Sequence, residues 1–168
     1  IIIESTDDHL DDFLQIYYST MERTDADREY YFSKQFYEDL NQLKSNIIYF
    51  YVIHKSKVIS AELVIYGSEN CYSYLGGTNS EYFDLRPNDF LKYEIIKWAK
   101  NKGLKNFVLG GGYGSDDGIY QYNLSLAPHG VYNFYIGRKV FDQKSYDELV
   151  SLRDENELNE KFFPLYRS

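Results

Sequence analysis

Three strand-like runs separated by very short turns constrain the fold of this chain more than any other feature of its sequence. Residues 47–54, 58–66 and 71–75 are rich in β-branched and aromatic side chains, and turns of only three and four residues separate them. Connections this short cannot carry the chain across to a parallel neighbour, so the runs must form antiparallel hairpins. The sequence therefore predicts a sheet whose front half is antiparallel.

The segments before and after these runs have the apolar spacing of helices. Apolar residues recur at helical spacing, which predicts helices over 7–22, 33–43, 87–102, 117–127 and 146–158 and short strands over 107–109 and 131–136. Residues 1–3 fit either a strand or a linker. This order of elements is typical of an α/β (α+β) fold, with a mixed, mostly antiparallel central sheet flanked by helices. A length of 168 residues fits a single domain over 1–168.

A glycine loop directly follows the strand at 107–109. Gly110, Gly111 and Gly112 leave the backbone bare, so amide N–H groups can approach a ligand closely. Asp117 follows and can cap the next helix. The loop lacks the Lys-Ser/Thr ending of a P-loop and the G-x-G-x-x-G spacing of a dinucleotide site. Its alternative interpretation is a tight crossing from strand to helix.

Two further features of the strands leave alternatives open. Gly76 and Gly77 end the third strand of the hairpin series, which indicates either a bulge with close backbone packing or a surface facing a ligand. Glu62 lies in an otherwise apolar strand, where it is either a general base or a residue on a solvated face. Cys71 fits a strand pattern and is predicted to be a small core residue rather than a nucleophile.

Charge and composition narrow the function classes. The net charge of −8 disfavours a nucleic-acid binder, although residues 86–105 form a local basic face that is either solvated or in contact with a phosphorylated ligand. The three histidines show no metal-binding spacing, so we expect neither a metal nor a permanently bound cofactor. No run reaches the ~18 apolar residues of a membrane span. The chain opens with Ile1 rather than Met, which leads us to expect the C-terminal part of a longer chain.

Several stretches together resemble one known family. They lie at 16–23, 30–32, 58–63, 87–91, 96–103, 107–114 and 135–137, in the order that the family has them. These stretches resemble the Fem-type (FemAB-like) transferases and related GNAT proteins of the peptidoglycan-bridge or "methicillin resistance" type. The stretch that contains the glycine loop is the clearest of them. The resemblance covers nearly the whole chain.

The resemblance implies a GNAT-like acyltransferase fold and transfer of an acyl or aminoacyl group to an amine. The implied donor is an acyl-CoA or an aminoacyl-tRNA. The implied acceptor is a small molecule or, as is common in the family, a muropeptide lysine of a peptidoglycan precursor. It also implies a second GNAT-like domain upstream and a cytoplasmic protein. The glycine-rich pyrophosphate loop of acetyl-CoA-dependent members is missing before residue 87, which argues against acetyl-CoA.

The resemblance and the glycine loop also predict the site. Candidate catalytic residues are Glu62 and Asp117 as proton acceptors and Tyr120 and Tyr122 as proton donors. Candidate substrate-binding residues are Arg23, Tyr30, Tyr31, Gly76, Gly77, Asn88, Gly110, Gly111, Gly112 and Asn123. Asn123 stands where the family usually has Lys. That departure favours the alternative function, a catalytically weak GNAT-like module that binds a peptide or partner.

Overall fold

The structure is a computed structural model that describes residues 2–5, 9–112, 117–154 and 158–167. It divides into two compact units, Ile1–Pro128 and His129–Ser168. Besides short 3-10 helices, the described residues of the first unit form β1 (Ile2–Ser5), α1 (Leu10–Arg23), α2 (Lys34–Leu40), β2 (Ile47–His54), β3 (Lys57–Tyr66), β4 (Asn70–Thr78), α3 (Pro87–Asn101), β5 (Asn106–Val108) and α4 (Gly118–Leu126). The predicted order of these elements is confirmed.

The five strands form one sheet in the order β1-β2-β3-β4-β5. The first four are antiparallel to their neighbours, whereas β5 runs parallel to β4. The parallel pairing follows from the connection, because α3 carries the chain back to the edge at which β4 began. The mixed, mostly antiparallel sheet predicted from the sequence is therefore confirmed.

Helices cover both faces of the sheet. On one face, alternate residues of β3 such as Ala61 and Leu63 pack with Phe13 and Tyr17 of α1. On the other face, Val64 packs with Leu91 and Ile95 of α3. Because both faces of β3 are covered, even its polar side chains become buried: Ser60 and Glu62 are 0% and 3% exposed. Glu62 therefore does not lie on a solvated face, which removes one of the two interpretations that the sequence left open.

The helix α3 begins and ends as its sequence predicts. Pro87 occupies the first turn, where a missing N–H costs nothing. Gly103 has a φ of +78°, the left-handed conformation that terminates a helix with least strain at glycine. These two ends fix which side chains of α3 point at the sheet.

The strands β4 and β5 stay together for only three residue pairs. The last pair is Tyr72 with Val108, after which β4 continues to Thr78 and β5 ends. The two strands are thus adjacent at one end and splayed at the other. A gap therefore opens in the sheet beside the second half of β4.

The second unit contains the helix α5 (Gln143–Ser151), which begins three residues before the helix predicted at 146–158 and ends at Ser151. Residues 152–154 and 158 are not helical, and residues 155–157 lie outside the described residues. The strand predicted at 131–136 is wrong, since those residues have no regular secondary structure. Their apolar side chains are largely exposed, and Phe134 is 87% exposed. A strand is stable only with a hydrogen-bonded neighbour, which an apolar pattern does not supply.

Candidate active site

A broad cleft of about 1300 Å³ surrounds the gap between β4 and β5. Its wall contains residues from the last turns of α1, the second half of β4, the start of α3, and the loop and helix that follow β5. It thus takes side chains from both faces of the sheet, including Tyr17 on the α1 face and Lys92 on the α3 face. The cleft is therefore lined from both faces of the sheet.

A buried polar group lies on the cleft wall where β4 and β5 separate. Lys92 Nζ lies 2.7 Å from each carboxylate oxygen of Glu62 and donates a hydrogen bond of 2.7 Å to Ser73 Oγ. Lys92 and Glu62 are 6% and 3% exposed, and the ammonium also lies 5.5 Å from the ring centroid of Phe107. Each charge compensates the other, which is the condition under which charged groups tolerate burial.

The helix α4 is held at the cleft by side-chain hydrogen bonds of Tyr122 and Asn123. The Tyr122 hydroxyl donates to Asp89 Oδ1 at 3.0 Å, and burial together with this carboxylate raises the pKa of Tyr122 well above its usual range. Asn123 Nδ2 donates to the carbonyl oxygens of Leu109 and Gly110 at 3.2 and 3.3 Å. The residue that stands in place of a lysine therefore ties α4 to the end of β5.

Aromatic side chains form the α1 side of the cleft. Tyr17 donates from its hydroxyl to the Tyr30 carbonyl at 2.7 Å, and burial raises the pKa of Tyr17 to about 12. Arg23 lies over the ring of Phe83, with 5.2 Å between its guanidinium carbon and the ring centroid. The hydrogen bond holds the segment after α1 at the cleft, and the guanidinium of Arg23 is exposed there.

The paired glycines on β4 have a packing reason. A Cβ on Gly77 would lie 2.4 Å from Thr20 Oγ1, and a Cβ on Gly76 would lie 2.9 Å from the Ala61 carbonyl oxygen. The register shifts here, so Tyr74 is an extra residue on β4 between Ser73 and Leu75. The close packing is confirmed, with the bulge two residues earlier at Tyr74. Both glycines also lie on the cleft wall, where contact with a ligand stays a prediction.

The glycine loop also lies on the cleft wall. Gly110, Gly111 and Gly112 contribute to it, and Gly110 has a φ of +81° that turns the chain away from β4. A Cβ on Gly112 would lie 2.7 Å from the carboxyl carbon of Asp117, which caps α4 through the Ile119 amide at 2.6 Å. Tyr113 and Gly114, the last residues of the loop, lie outside the described residues.

Most of the candidate residues from the sequence come together in this cleft. Those on its wall are Arg23, Tyr30, Glu62, Gly76, Gly77, Asn88, Gly110, Gly111, Gly112, Asp117, Tyr122 and Asn123. Tyr31 and Tyr120 are not on the wall, and Tyr31 instead stacks on Tyr18 with ring centroids 6.2 Å apart. A role for these two tyrosines in binding or catalysis stays a prediction.

Sequence reasoning missed Lys92 and Ser73. The sequence places Lys92 in the basic face at 86–105, which is interpreted as solvated or in contact with a phosphorylated ligand. Lys92 instead precedes Ile95 by three residues and Ala99 by seven, so it belongs to the buried stripe of α3. That spacing was a usable signal. Ser73 carries no comparable signal, because its role depends on where β5 ends.

Carboxylates outnumber cations on the cleft wall. The carboxylates are Asp25, Asp27, Glu62, Asp89 and Asp117, and the cations are Arg23, Arg86 and Lys92. This balance attracts a positively charged amine more than a polyanion. Among the described residues, no group of three or more His, Cys, Asp or Glu side chains is placed to hold a metal ion. None of the described helices is long and apolar enough to cross a membrane.

Comparison with known sequences gives two matches. A sequence model of the family described as "Acetyltransferase (GNAT) domain" matches residues 1–122, more than half of the chain. Over 82 residues, 49% of the chain, the sequence is 26% identical to the Lipid II:glycine glycyltransferase of Staphylococcus haemolyticus (strain JCSC1435). The matched part spans only 20% of that relative's length.

The solved structures with a similar fold include the following three. An aminoglycoside acetyltransferase from an uncultured soil metagenomic sample, in complex with sisomicin, is 17% identical, with a TM-score of 0.58 over 83% of this chain and 96% of that one. The aminoglycoside acetyltransferase AAC(6')-Iy, in complex with a CoA-containing bisubstrate analogue, is 11% identical, with a TM-score of 0.62 over 83% and 97%. The ribosomal-protein-alanine N-acetyltransferase of Brucella melitensis biovar Abortus 2308 is 12% identical, with a TM-score of 0.62 over 83% and 99%. At these identities the similarity concerns the fold alone.

Proposed function

Since this chain belongs to the family of acetyltransferase (GNAT) domains, whose fold the sequence predicted correctly, we propose that it transfers an acyl or aminoacyl group to an amine. The observation that carries this proposal is the gap between β4 and β5. It leaves a cleft that reaches both faces of the sheet and contains a buried carboxylate and ammonium with the partly buried hydroxyl of Ser73 beside them. The donor lies on one side of the gap and the acceptor amine on the other.

The chemistry needs no covalent intermediate with the protein. The lone pair of a neutral amine attacks the carbonyl carbon of the donor, and the carbonyl electrons move to oxygen. Collapse of this intermediate restores the carbonyl and breaks the bond to the thiol or alcohol leaving group. The amine loses one proton and the leaving group gains one, so the products are an amide and a free thiol or alcohol.

Asp117 is the better of the two candidate bases. Protonating Glu62 would leave the buried ammonium of Lys92 without its counter-ion, which is costly. Asp117 is on the cleft wall at the start of α4 and can accept the amine proton and pass it to the leaving group. Tyr122 is a poor proton donor, because its pKa is raised and its proton is bonded to Asp89.

The acceptor we propose is a lysine-bearing muropeptide of a peptidoglycan precursor. Supporting this choice are the similarity to a Lipid II:glycine glycyltransferase and the excess of carboxylates on the cleft wall, which favours a cationic amine. The donor we propose is an acyl-CoA or an aminoacyl-tRNA. A CoA-containing ligand in a neighbour of similar fold supports the first, and the Fem-type resemblance supports the second.

A transfer assay tests this proposal. The purified protein is incubated with a lysine-bearing muropeptide and either acetyl-CoA, other acyl-CoAs or glycyl-tRNA, and the product is identified by mass. We expect an added acyl or aminoacyl group on the lysine side chain. Absence of transfer with every donor, from both this chain and the full-length protein, would overturn the proposal.

The alternative function is a module that binds a peptide without modifying it. Asn123 favours this alternative, because a neutral amide bonded to two backbone carbonyls stands where the resemblance expects a cation. Isothermal titration with the muropeptide separates the two functions: tight binding without transfer supports the module.

A further inference from the structure

Ser73 occupies a distinctive position on β4. Tyr72, its predecessor, makes the last pair with β5, and its successor, Tyr74, is the extra residue of the bulge. Ser73 is therefore the first residue of β4 beside the open gap, and it lies on the cleft wall. A hydroxyl there lies beside the gap in which the proposed function expects the acyl donor to bind.

The hydrogen bonds of Ser73 leave one donor available. Its Oγ accepts a bond of 2.7 Å from Lys92 Nζ. Among the residues that the structure describes, the Ser73 hydroxyl proton is bonded to no acceptor, although a hydroxyl can donate one bond while accepting others. That proton is therefore able to bond to an oxygen of a ligand in the cleft.

The charge on Lys92 decides what this hydroxyl can do. An ammonium that donates to Oγ withdraws electron density from it, which strengthens the O–H as a donor and weakens the oxygen as a nucleophile. Lys92 has no lone pair to take the Ser73 proton while Glu62 holds it in its charged form. A covalent acyl-serine is therefore disfavoured, and a hydrogen bond from Ser73 is favoured.

We propose that Ser73 donates a hydrogen bond to the carbonyl oxygen of the donor's acyl group, with Lys92 and Glu62 as positioning residues. This inference rests on the proposed function. As the amine attacks, negative charge develops on that oxygen, and the polarised hydroxyl stabilises it in a site of low dielectric constant. No bond to Ser73 forms or breaks: the oxyanion appears on attack and disappears when the leaving group departs.

The test compares two substitutions of Ser73 in the transfer assay described above. Ser73→Ala removes the hydroxyl and is expected to lower kcat roughly 100-fold while the KM for the donor stays nearly constant. Ser73→Thr retains a hydroxyl on the same carbon and is expected to keep most of the activity. A merely structural role would instead show loss of stability without this contrast between the two variants.

Ser60→Ala is the matched control. Ser60 is a buried serine of the neighbouring strand that bonds to the Gly77 carbonyl and Thr78 Oγ1 and is not on the cleft wall. We expect it to lower stability as much as Ser73→Ala does, with little change in kcat. Equal losses of kcat in both variants would overturn the proposal.

A second pair of substitutions tests the polarisation. Replacing Lys92 by Met and Glu62 by Leu together removes the charges while keeping the buried volume, and we expect kcat to fall although Ser73 is present. If the wild-type protein transfers and either this double variant or Ser73→Ala retains full kcat, the role of Ser73 is wrong and the proposed function stands. If the wild-type protein transfers nothing, both fail.

Discussion

The Thr20 hydroxyl fills the space that a side chain on Gly77 would need. A Cβ at Gly77 would lie 2.4 Å from Thr20 Oγ1 and 2.8 Å from the Ile16 carbonyl oxygen, both in α1. The same hydroxyl accepts a hydrogen bond of 3.2 Å from the Thr78 amide. The absence of a side chain at Gly77 thus sets how closely α1 approaches β4, and with it one wall of the cleft.

Gly77→Ala is therefore expected to destabilise the protein by about 1–3 kcal/mol, because the added methyl group overpacks a contact with backbone atoms that cannot move aside cheaply. Urea unfolding followed by tryptophan fluorescence measures the change. Gly67→Ala is the matched control, since a Cβ there would meet nothing within 4 Å. Equal stability of the two variants would show that α1 is free to shift.

The buried pair of Lys92 and Glu62 predicts a non-additive effect on stability. Lys92→Met alone leaves the Glu62 carboxylate buried without a counter-ion and is expected to cost about 3–5 kcal/mol. Adding Glu62→Leu removes that charge and should recover most of the loss. The two single variants and the double variant form a cycle in which the coupling is read from the free energies of unfolding.

The exposed pair of Lys34 and Asp11 serves as the control for this cycle. Their side chains are 53% and 85% exposed although the charged atoms lie 2.7 Å apart. Because water solvates both charges, Lys34→Met should change the free energy of unfolding little. A loss at Lys34 as large as that at Lys92 would contradict the assignment of the effect to burial.

Cys71 is expected to be unreactive in the native protein. It is fully buried, and burial raises the pKa of its thiol to about 11. Since the thiolate is the reactive form, a disulfide reagent at pH 8 should label Cys71 slowly in the native protein and rapidly after unfolding in urea. Fast native labelling would show that the thiol is accessible.

The same shift predicts a dependence of stability on pH. Because the folded pKa of Cys71 is higher than the unfolded one, the native state holds its proton more tightly. The contribution to stability is complete below the unfolded pKa and falls by about 1.4 kcal/mol per unit as the pH rises toward about 11. Cys71→Ala should lack this slope, so the difference between the two curves isolates the thiol.

Asn123→Lys is expected to raise transfer. The substitution adds a cation beside the glycine loop, and a charged contact in such a site contributes ~2–4 kcal/mol, or roughly 30- to 1000-fold in rate. Asn123→Gln, which keeps a neutral amide, is the matched control and should not raise the rate. An unchanged rate for the lysine variant would indicate that this chain's site does not use a charge there.

Much of the fold follows from local patterns. The hairpins are specified by short turns between β-branched runs, and α3 is delimited by Pro87 and Gly103. These signals act over a few residues and do not depend on which distant segments pack nearby. The apolar pattern at 131–136 misled because a strand exists only with a neighbour, and no local signal specifies one.

The sequence predicted which segments line the candidate site, but it did not predict which side chains interact there. The glycine pair on β4 and the glycine loop after β5 can be recognised in the sequence. Glycine at such positions indicates that other atoms approach the backbone closely. The sequence left the surroundings of Glu62 open, because one strand cannot show whether both of its faces are covered.

What the sequence alone determined is the order of helices and strands in the first unit, the antiparallel front half of the sheet and most of the segments that line the cleft. What only the tertiary structure decided is that Lys92 meets Glu62 and Ser73, which are 30 and 19 residues away along the chain. Such contacts depend on the packing of α3 on the sheet and on β5 ending at Val108. Local propensity determines each helix and strand. The buried ion pair and its hydrogen bond to Ser73 form only when elements that are distant in the sequence pack against each other.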